Sequence, residues 1–224
     1  SSWYATAHAT CRSCSTRVHT AATRSAAPNR ASPLVLDLDN DGIELTEHDA
    51  ETTTTFFDID GDGFAEQTAW VGSDDGLLAR DINENGIIDD VTELFGSPTV
   101  DGFAKLALLD SNQDLLIDQN DDAWDELVIW KDVNGDAVTQ DGELHTLSSL
   151  SIKSIDLAGV AASTSTVNGN PISHETTYML DNGSTRSIVN LLTQGMLHGG
   201  PAGKPGKATL ENVGRALKAL ARYV

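Results

Sequence analysis

Aspartate recurs at alternate positions in five short stretches: DLDNDGIE from Asp37, DIDGDGFAE from Asp58, DINENGIIDD from Asp81, DSNQDLLIDQND from Asp110 and DVNGDAVTQDGE from Asp132. Oxygen ligands spaced in this way suit a hard divalent cation, which takes about six to eight oxygens at about 2.3–2.6 Å. Side chains at loop positions 1, 3 and 5 converge on one point, position 7 adds a backbone carbonyl, and positions 9 and 12 complete the shell. Glycine at position 6 permits the sharp bend. The spacing predicts five Ca²⁺ loops, with Ca²⁺ as the expected cofactor.

The candidate ligands follow from that frame. The first loop offers Asp37, Asp39 and Asp41, and the second Asp58, Asp60 and Asp62, with Gly42 and Gly63 at position 6. Neither has an acid at position 12, where His48 and Ala69 fall, so Glu44, Glu47, Glu66 or ligands shared with neighbouring loops are the candidates to close them. The third loop offers Asp81, Asn83, Asn85, the Ile87 carbonyl and Asp89, and its closing acid, Glu93, stands one residue beyond the expected place. The fourth offers Asp110, Asn112, Asp114, the Leu116 carbonyl, Asp118 and Asp121. The fifth offers Asp132, Asn134, Asp136, the Val138 carbonyl, Gln140 and Glu143. Both carry Leu115 and Ala137 where the bend favours glycine.

The elements that must hold these loops read as α+β: short strands and tandem EF-hand-like loops with short helices, then a C-terminal β-hairpin. Leu34–Leu36, Thr54–Phe57 and Gly76–Ala79 are short and β-favouring. Phe103, Leu106 and Ala107 repeat at helical spacing before the fourth loop, and Trp124, Leu127 and Val128 do so before the fifth. Acidic Asp122, Asp125 and Glu126 suit a helix N-terminus there. A short helix through Leu147 and Leu150, a strand from Ile152 to Leu157, and a hairpin turning at Asn182-Gly183 complete the expectation. Trp70, Trp124 and Trp130 are expected in the core.

Charge sets the energetic problem. The 224 residues carry a formal net charge of −20, and the segment from Pro33 to His198 holds 33 acids against five bases. Such density repels itself unless counter-ions bind, so metal binding and folding are expected to be coupled. A solvated or halophilic acidic surface is the competing reading, but it would not require the 1,3,5 spacing. The acidic middle argues against nucleic acid as a partner. No apolar run approaches the length of a membrane span, and no signal peptide is evident.

Three segments follow: a flank, 1–32; a calcium-dependent module, 33–197; and a Gly/Pro linker with a basic amphipathic helix, 198–224. Cys11 and Cys14, between His8 and His19, allow a Zn²⁺ knuckle or a redox pair by spacing, although a disordered leader suits the composition better. His145 and His174 read as isolated, and no Ser/His/Asp set suggests a conventional hydrolase.

The order of PLVLDLDNDGIE, DDGLLARDINENGIIDDVTELFG, LALLDSNQD, LVIWKDVNGD and GELHTLSSLSIKSIDLA resembles the self-processing module of FrpC-type RTX (repeat-in-toxin) proteins, from about Pro33 to Leu192. The resemblance implies a protein secreted from bacteria or held at their surface. It also implies a module that folds on Ca²⁺ and cuts its own Asp-Pro bond at its N-terminal edge, through a cyclic anhydride that a protein lysine can open to an isopeptide. The corresponding bond here is Ser32-Pro33. Without a β-carboxylate no anhydride forms, leaving at most an N-to-O acyl shift by the serine. The alternative is a calcium-stabilised structural or adhesive module with no chemistry.

Overall fold

In the computed structural model, residues 30–46, 55–61, 63, 65–97 and 99–194 are described. The Cys11/Cys14 pair, Glu47, His48, Asp62 and the C-terminal helix and linker lie outside the described residues.

The described residues form fourteen strands: β1 (Arg30–Ala31), β2 (Leu34–Leu36), β3 (Phe56–Phe57), β4 (Glu66–Gln67), β5 (Gly76–Arg80), β6 (Leu116–Asp118), β7 (Leu127–Trp130), β8 (Leu144–Thr146), β9 (Ile152–Asp156), β10 (Ala161–Ala162), β11 (Thr166–Val167), β12 (Asn170–Leu180), β13 (Thr185–Leu191) and β14 (Thr193–Gln194). One α-helix, α1 (Gly102–Leu106), and four single 3₁₀ turns accompany them. The main sheet runs β6-β9-β12-β13-β2-β5-β7-β8, with β10 and β11 added along β12. Every pairing is antiparallel.

Apolar side chains cover both faces of the sheet, which is why its central strands read as unbroken hydrophobic runs. In β2, Val35 faces one core and Leu34 and Leu36 the other, as the two-residue period of a strand demands. Phe57, Trp70 and Trp130 pack on the first face, with ring centroids 5.2, 5.4 and 5.9 Å apart. On the second, Phe103 and Leu106 of α1 meet Leu78, Ile129, Tyr178 and Ile188. Trp70, Trp124 and Trp130 are all buried, as expected.

The architecture corrects the α+β expectation, because the protein is mostly β. The segment expected as a helix between the fourth and fifth loops is a 3₁₀ turn, Trp124–Glu126, followed at once by β7. Leu127-Val128-Ile129-Trp130 is too short and too β-favouring to sustain a helix. As a strand it pairs with β5 on one side and β8 on the other. The fifth loop is therefore the turn of a β7–β8 hairpin. Only the fourth loop is entered from a helix, where α1 runs into a 3₁₀ turn ending at Leu109. Asp101 caps that helix, accepting the Phe103 and Ala104 N–H groups at 3.0 and 3.4 Å. The β12–β13 hairpin is present, but it is longer than expected and sits in the middle of the sheet.

Candidate metal centres

All five loops share two left-handed positions. Position 4 has positive φ in each, at Asn40 (76°), Gly61 (75°), Glu84 (56°), Gln113 (59°) and Gly135 (68°). Position 6 does as well, at Gly42 (114°), Gly63 (88°), Gly86 (78°), Leu115 (67°) and Ala137 (55°). Leu115 and Ala137 thus make the bend that glycine makes elsewhere, accepting a left-handed conformation that costs about 1–2 kcal/mol in an L-residue.

The aspartate at position 1 holds each bend from inside. Its Oδ2 accepts the N–H of position 6 in every loop: Gly42 to Asp37 at 3.2 Å, Gly63 to Asp58 at 2.7 Å, Gly86 to Asp81 at 2.7 Å, Leu115 to Asp110 at 3.0 Å and Ala137 to Asp132 at 2.7 Å. Position 3 works in the same way. Asp39, Asn83, Asn112 and Asn134 each accept the N–H of position 5, at 3.3, 3.1, 2.9 and 3.0 Å. These bonds hold the carboxylate of position 1 and, in four loops, the side-chain oxygen of position 3 against the backbone of the bend.

Closing acids tie the ends of the later loops together. Glu93 Oε1 accepts the N–H of Ile82 (3.1 Å), and its Oε2 that of Asp89 (2.8 Å), so one carboxylate spans positions 2 and 9. Asp121 does the same for Ser111 (2.8 Å) and Asp118 (3.0 Å). Glu143 accepts from Gln140 at 2.9 Å and from the Trp130 indole at 3.4 Å. All three acids are buried, and burial pushes the Glu93 carboxyl up. The extra residue before Glu93 is absorbed by the 3₁₀ turn Val91–Glu93, which Asp90 caps through the Thr92 N–H at 2.7 Å.

The first two loops bring acids together differently. Asp37, Asp39 and Asp41 place one carboxylate oxygen each within 4.8 Å of one another, and so do Asp58, Asp60 and Glu66. The side-chain hydrogen bond between Asp39 and Asp41 holds Asp39 below the usual carboxylate range and pushes Asp41 up to about 6. Glu66 reaches in from β4 and accepts the Ile59 N–H at 3.2 Å. Tyr178 fixes the entrance of the first loop, its hydroxyl donating to the Asp37 carbonyl at 2.5 Å.

Asp75 was not among the expected ligands, because its SDDG stretch reads as a plain turn. It is fully buried, and its Oδ2 accepts the Glu44 N–H at 2.7 Å. Burial pushes its carboxyl up to about 7.

The Ser32-Pro33 position lies between β1 and β2, buried beside a cleft lined by Ser97, Asp101, Ser173 and Asn190. The Ser32 hydroxyl donates towards the carbonyls of Ser97 and Val100, at 3.1 and 3.0 Å, and accepts the Ser97 N–H at 3.1 Å. Gly96, at φ 98°, packs against the Ser32 carbonyl so closely that an added Cβ would lie 1.9 Å from its oxygen. His174 is not isolated. Its Nδ1 meets Asp101 Oδ2 at 3.0 Å and Ser173 Oγ at 3.2 Å. Since the same ring nitrogen faces both groups, this is a polar clamp and not a proton relay from serine to carboxylate. Asn190 donates to the same Asp101 oxygen.

Fold and loops together define an acidic, mostly β module whose turns are aspartate-rich loops, the fourth alone entered from a helix. The chain belongs to the SPM domain family, whose model matches residues 34–194. It is also 42% identical over 168 residues to iron-regulated protein FrpA of Neisseria meningitidis serogroup C, a stretch covering 71% of this chain and 15% of that relative. The chain therefore spans a small part of the relative's length, and the kinship is with an FrpC/FrpA-type, RTX-related module. Among the described residues no helix is long and apolar enough to cross a membrane.

Proposed function

We propose that residues 33–197 form a Ca²⁺-dependent folding module of an exported bacterial protein, non-processing in this chain because serine stands at residue 32. The shared geometry of the five loops carries this reading. Five independent stretches adopt the same pair of left-handed residues and the same position-1 to position-6 bond, a convergence that an acidic solvated surface would not need. The ligands are those expected from the sequence at positions 1, 3, 5, 7 and 9, with Glu93, Asp121 and Glu143 closing the third to fifth loops.

Ca²⁺ would supply the missing positive charge to a segment with 33 acids and five bases. Extracellular modules bind Ca²⁺ at about 10⁻⁴ to 10⁻³ M, so such a chain would stay unfolded in a bacterial cytosol and fold after export. Circular dichroism during a Ca²⁺ titration tests it. Secondary structure is expected to appear in the millimolar range and vanish with chelator; unchanged spectra and melting temperature in excess chelator would refute it.

Chemistry at Ser32-Pro33 is a separate matter. A serine hydroxyl cannot form the anhydride, so neither scission nor transfer to a lysine is expected of this chain. The pocket offers the residue-32 side chain one donor, the Ser97 N–H, beside the carbonyls of Ser97 and Val100, and packs the peptide against Gly96, so a carboxylate there would take the N–H and turn from the two carbonyls. Ser32→Asp is expected to cleave before Pro33 when Ca²⁺ is added, read as two fragments by mass spectrometry. A variant that binds Ca²⁺ and folds yet stays whole would leave the structural or adhesive role.

A further inference from the structure

The first loop has no acid at position 12, yet the pairing of β2 with β5 puts one at its mouth. Val35 pairs with Leu77 and Leu36 with Gly76. Extending that antiparallel register by one residue sets Asp37, the first residue of the loop, opposite Asp75. Residues directly opposed across strands hold their Cβ atoms about 4.5–5.5 Å apart, and like charges there repel. Here both partners are aspartates and both are buried, Asp37 to 5% and Asp75 to 0% exposure.

The hydrogen bond of Asp75 resembles those of a closing acid, although it falls at position 8 and not 9. Glu93 and Asp121 each strap position 2 of their loop to position 9. Asp75 accepts from Glu44, at position 8 of the first loop, and the Leu38 N–H at position 2 also faces its carboxyl. What distinguishes it is its second oxygen. Asp75 Oδ1 is buried and has no hydrogen-bond partner, in a group that is wholly shielded from water. A buried carboxylate oxygen left unpaired is costly, and a divalent cation would satisfy it by drawing Asp75 to the group of Asp37, Asp39 and Asp41, whose oxygens lie within 4.8 Å of one another without it.

We propose that Asp75, 38 residues beyond Asp37 in the chain, is the closing ligand of the first Ca²⁺ site. This assignment rests on the calcium reading above and adds to it a ligand from another strand. A site closed in this way can form only once β2 and β5 have paired. Ion binding at the first loop then reports assembly of the central sheet, whereas the third to fifth loops each carry their own acid.

Native mass spectrometry and calorimetric titration with Ca²⁺ alone, on the full chain, Asp75→Asn and Asp132→Ala, test the proposal. Asp75→Asn keeps the size of the side chain and an acceptor for Glu44. It is expected to lose one ion, or to weaken one site about tenfold or more, leaving the other sites unchanged; Asp132→Ala is expected to lose a different one. If the full chain binds Ca²⁺ and Asp75→Asn binds it in the same number and with the same affinity, Asp75 is structural only and the proposal falls by itself. A full chain that binds no Ca²⁺ overturns the calcium reading and this proposal together. Should Asp75→Asn fail to fold, the carboxyl ¹³C resonance of Asp75 in the unsubstituted chain decides: it must shift with Ca²⁺ in step with those of Asp37 and Asp39, and a resonance that stays put refutes the assignment.

Discussion

Replacing Asp132 with alanine separates ion binding from loop packing. Asp132 is fully buried at the turn between β7 and β8, and it accepts the N–H groups of Gly135 (2.8 Å), Asp136 (3.3 Å) and Ala137 (2.7 Å). Gly135 and Asp136 are half-buried and can turn to water, but the Ala137 amide is enclosed, so its lost acceptor costs about 1–3 kcal/mol at every Ca²⁺ concentration. The ion adds a component that depends on concentration. Above the dissociation constant, each ion held only by the folded state raises stability by about 1.4 kcal/mol per tenfold rise in free Ca²⁺. Five filled loops therefore give about 7 kcal/mol per decade, and Asp132→Ala about 5.5. Urea unfolding over a tenfold range of free Ca²⁺, at fixed ionic strength, measures that slope. A variant that is weaker by a constant amount but keeps the full slope would show that the fifth loop holds no ion.

Three further substitutions probe the geometry. Leu115→Gly, at an exposed left-handed position, is expected to stabilise the protein by about 0.5–1 kcal/mol, because the relief of backbone strain exceeds glycine's entropic cost; a melting temperature lowered by several degrees would contradict the strain. Tyr178→Phe removes the hydroxyl from the Asp37 carbonyl and should cost about 1–3 kcal/mol in urea unfolding while leaving near-ultraviolet packing signals in place. Gly96→Ala drives a Cβ into the Ser32 carbonyl at a positive φ and is expected to cost about 3 kcal/mol or more. A near-neutral effect there would mean that the Ser32-Pro33 peptide is not held as described.

The local chemistry of the loops was legible in the sequence because it spans about a dozen residues. Alternating Asp and Asn, the acids Glu93, Asp121 and Glu143 that strap the loop ends, and the run Leu34–Leu36 all show their place within one turn or one strand. The absence of glycine at Leu115 and Ala137 did not abolish the bend, since the position-1 carboxylate holds it at the cost of a strained left-handed residue. Beyond that range the signal fails. Trp124, Leu127 and Val128 fit a helical period, yet β5 and β8 offer Leu127–Trp130 two hydrogen-bonded edges that no local pattern reveals. Asp75 looks like one acid of a plain turn until the register of β2 against β5 sets it opposite Asp37. Likewise, His174 and Asp101 are 73 residues apart in the chain, and it is the pairing of His174 with Asn190 that gathers all three at one carboxylate oxygen. The sequence by itself determined where the Asp- and Asn-rich turns fall, since that depends on neighbours along the chain; the tertiary structure decided that Asp75 stands opposite the first of them and which strands flank the rest, since that depends on which strands pair.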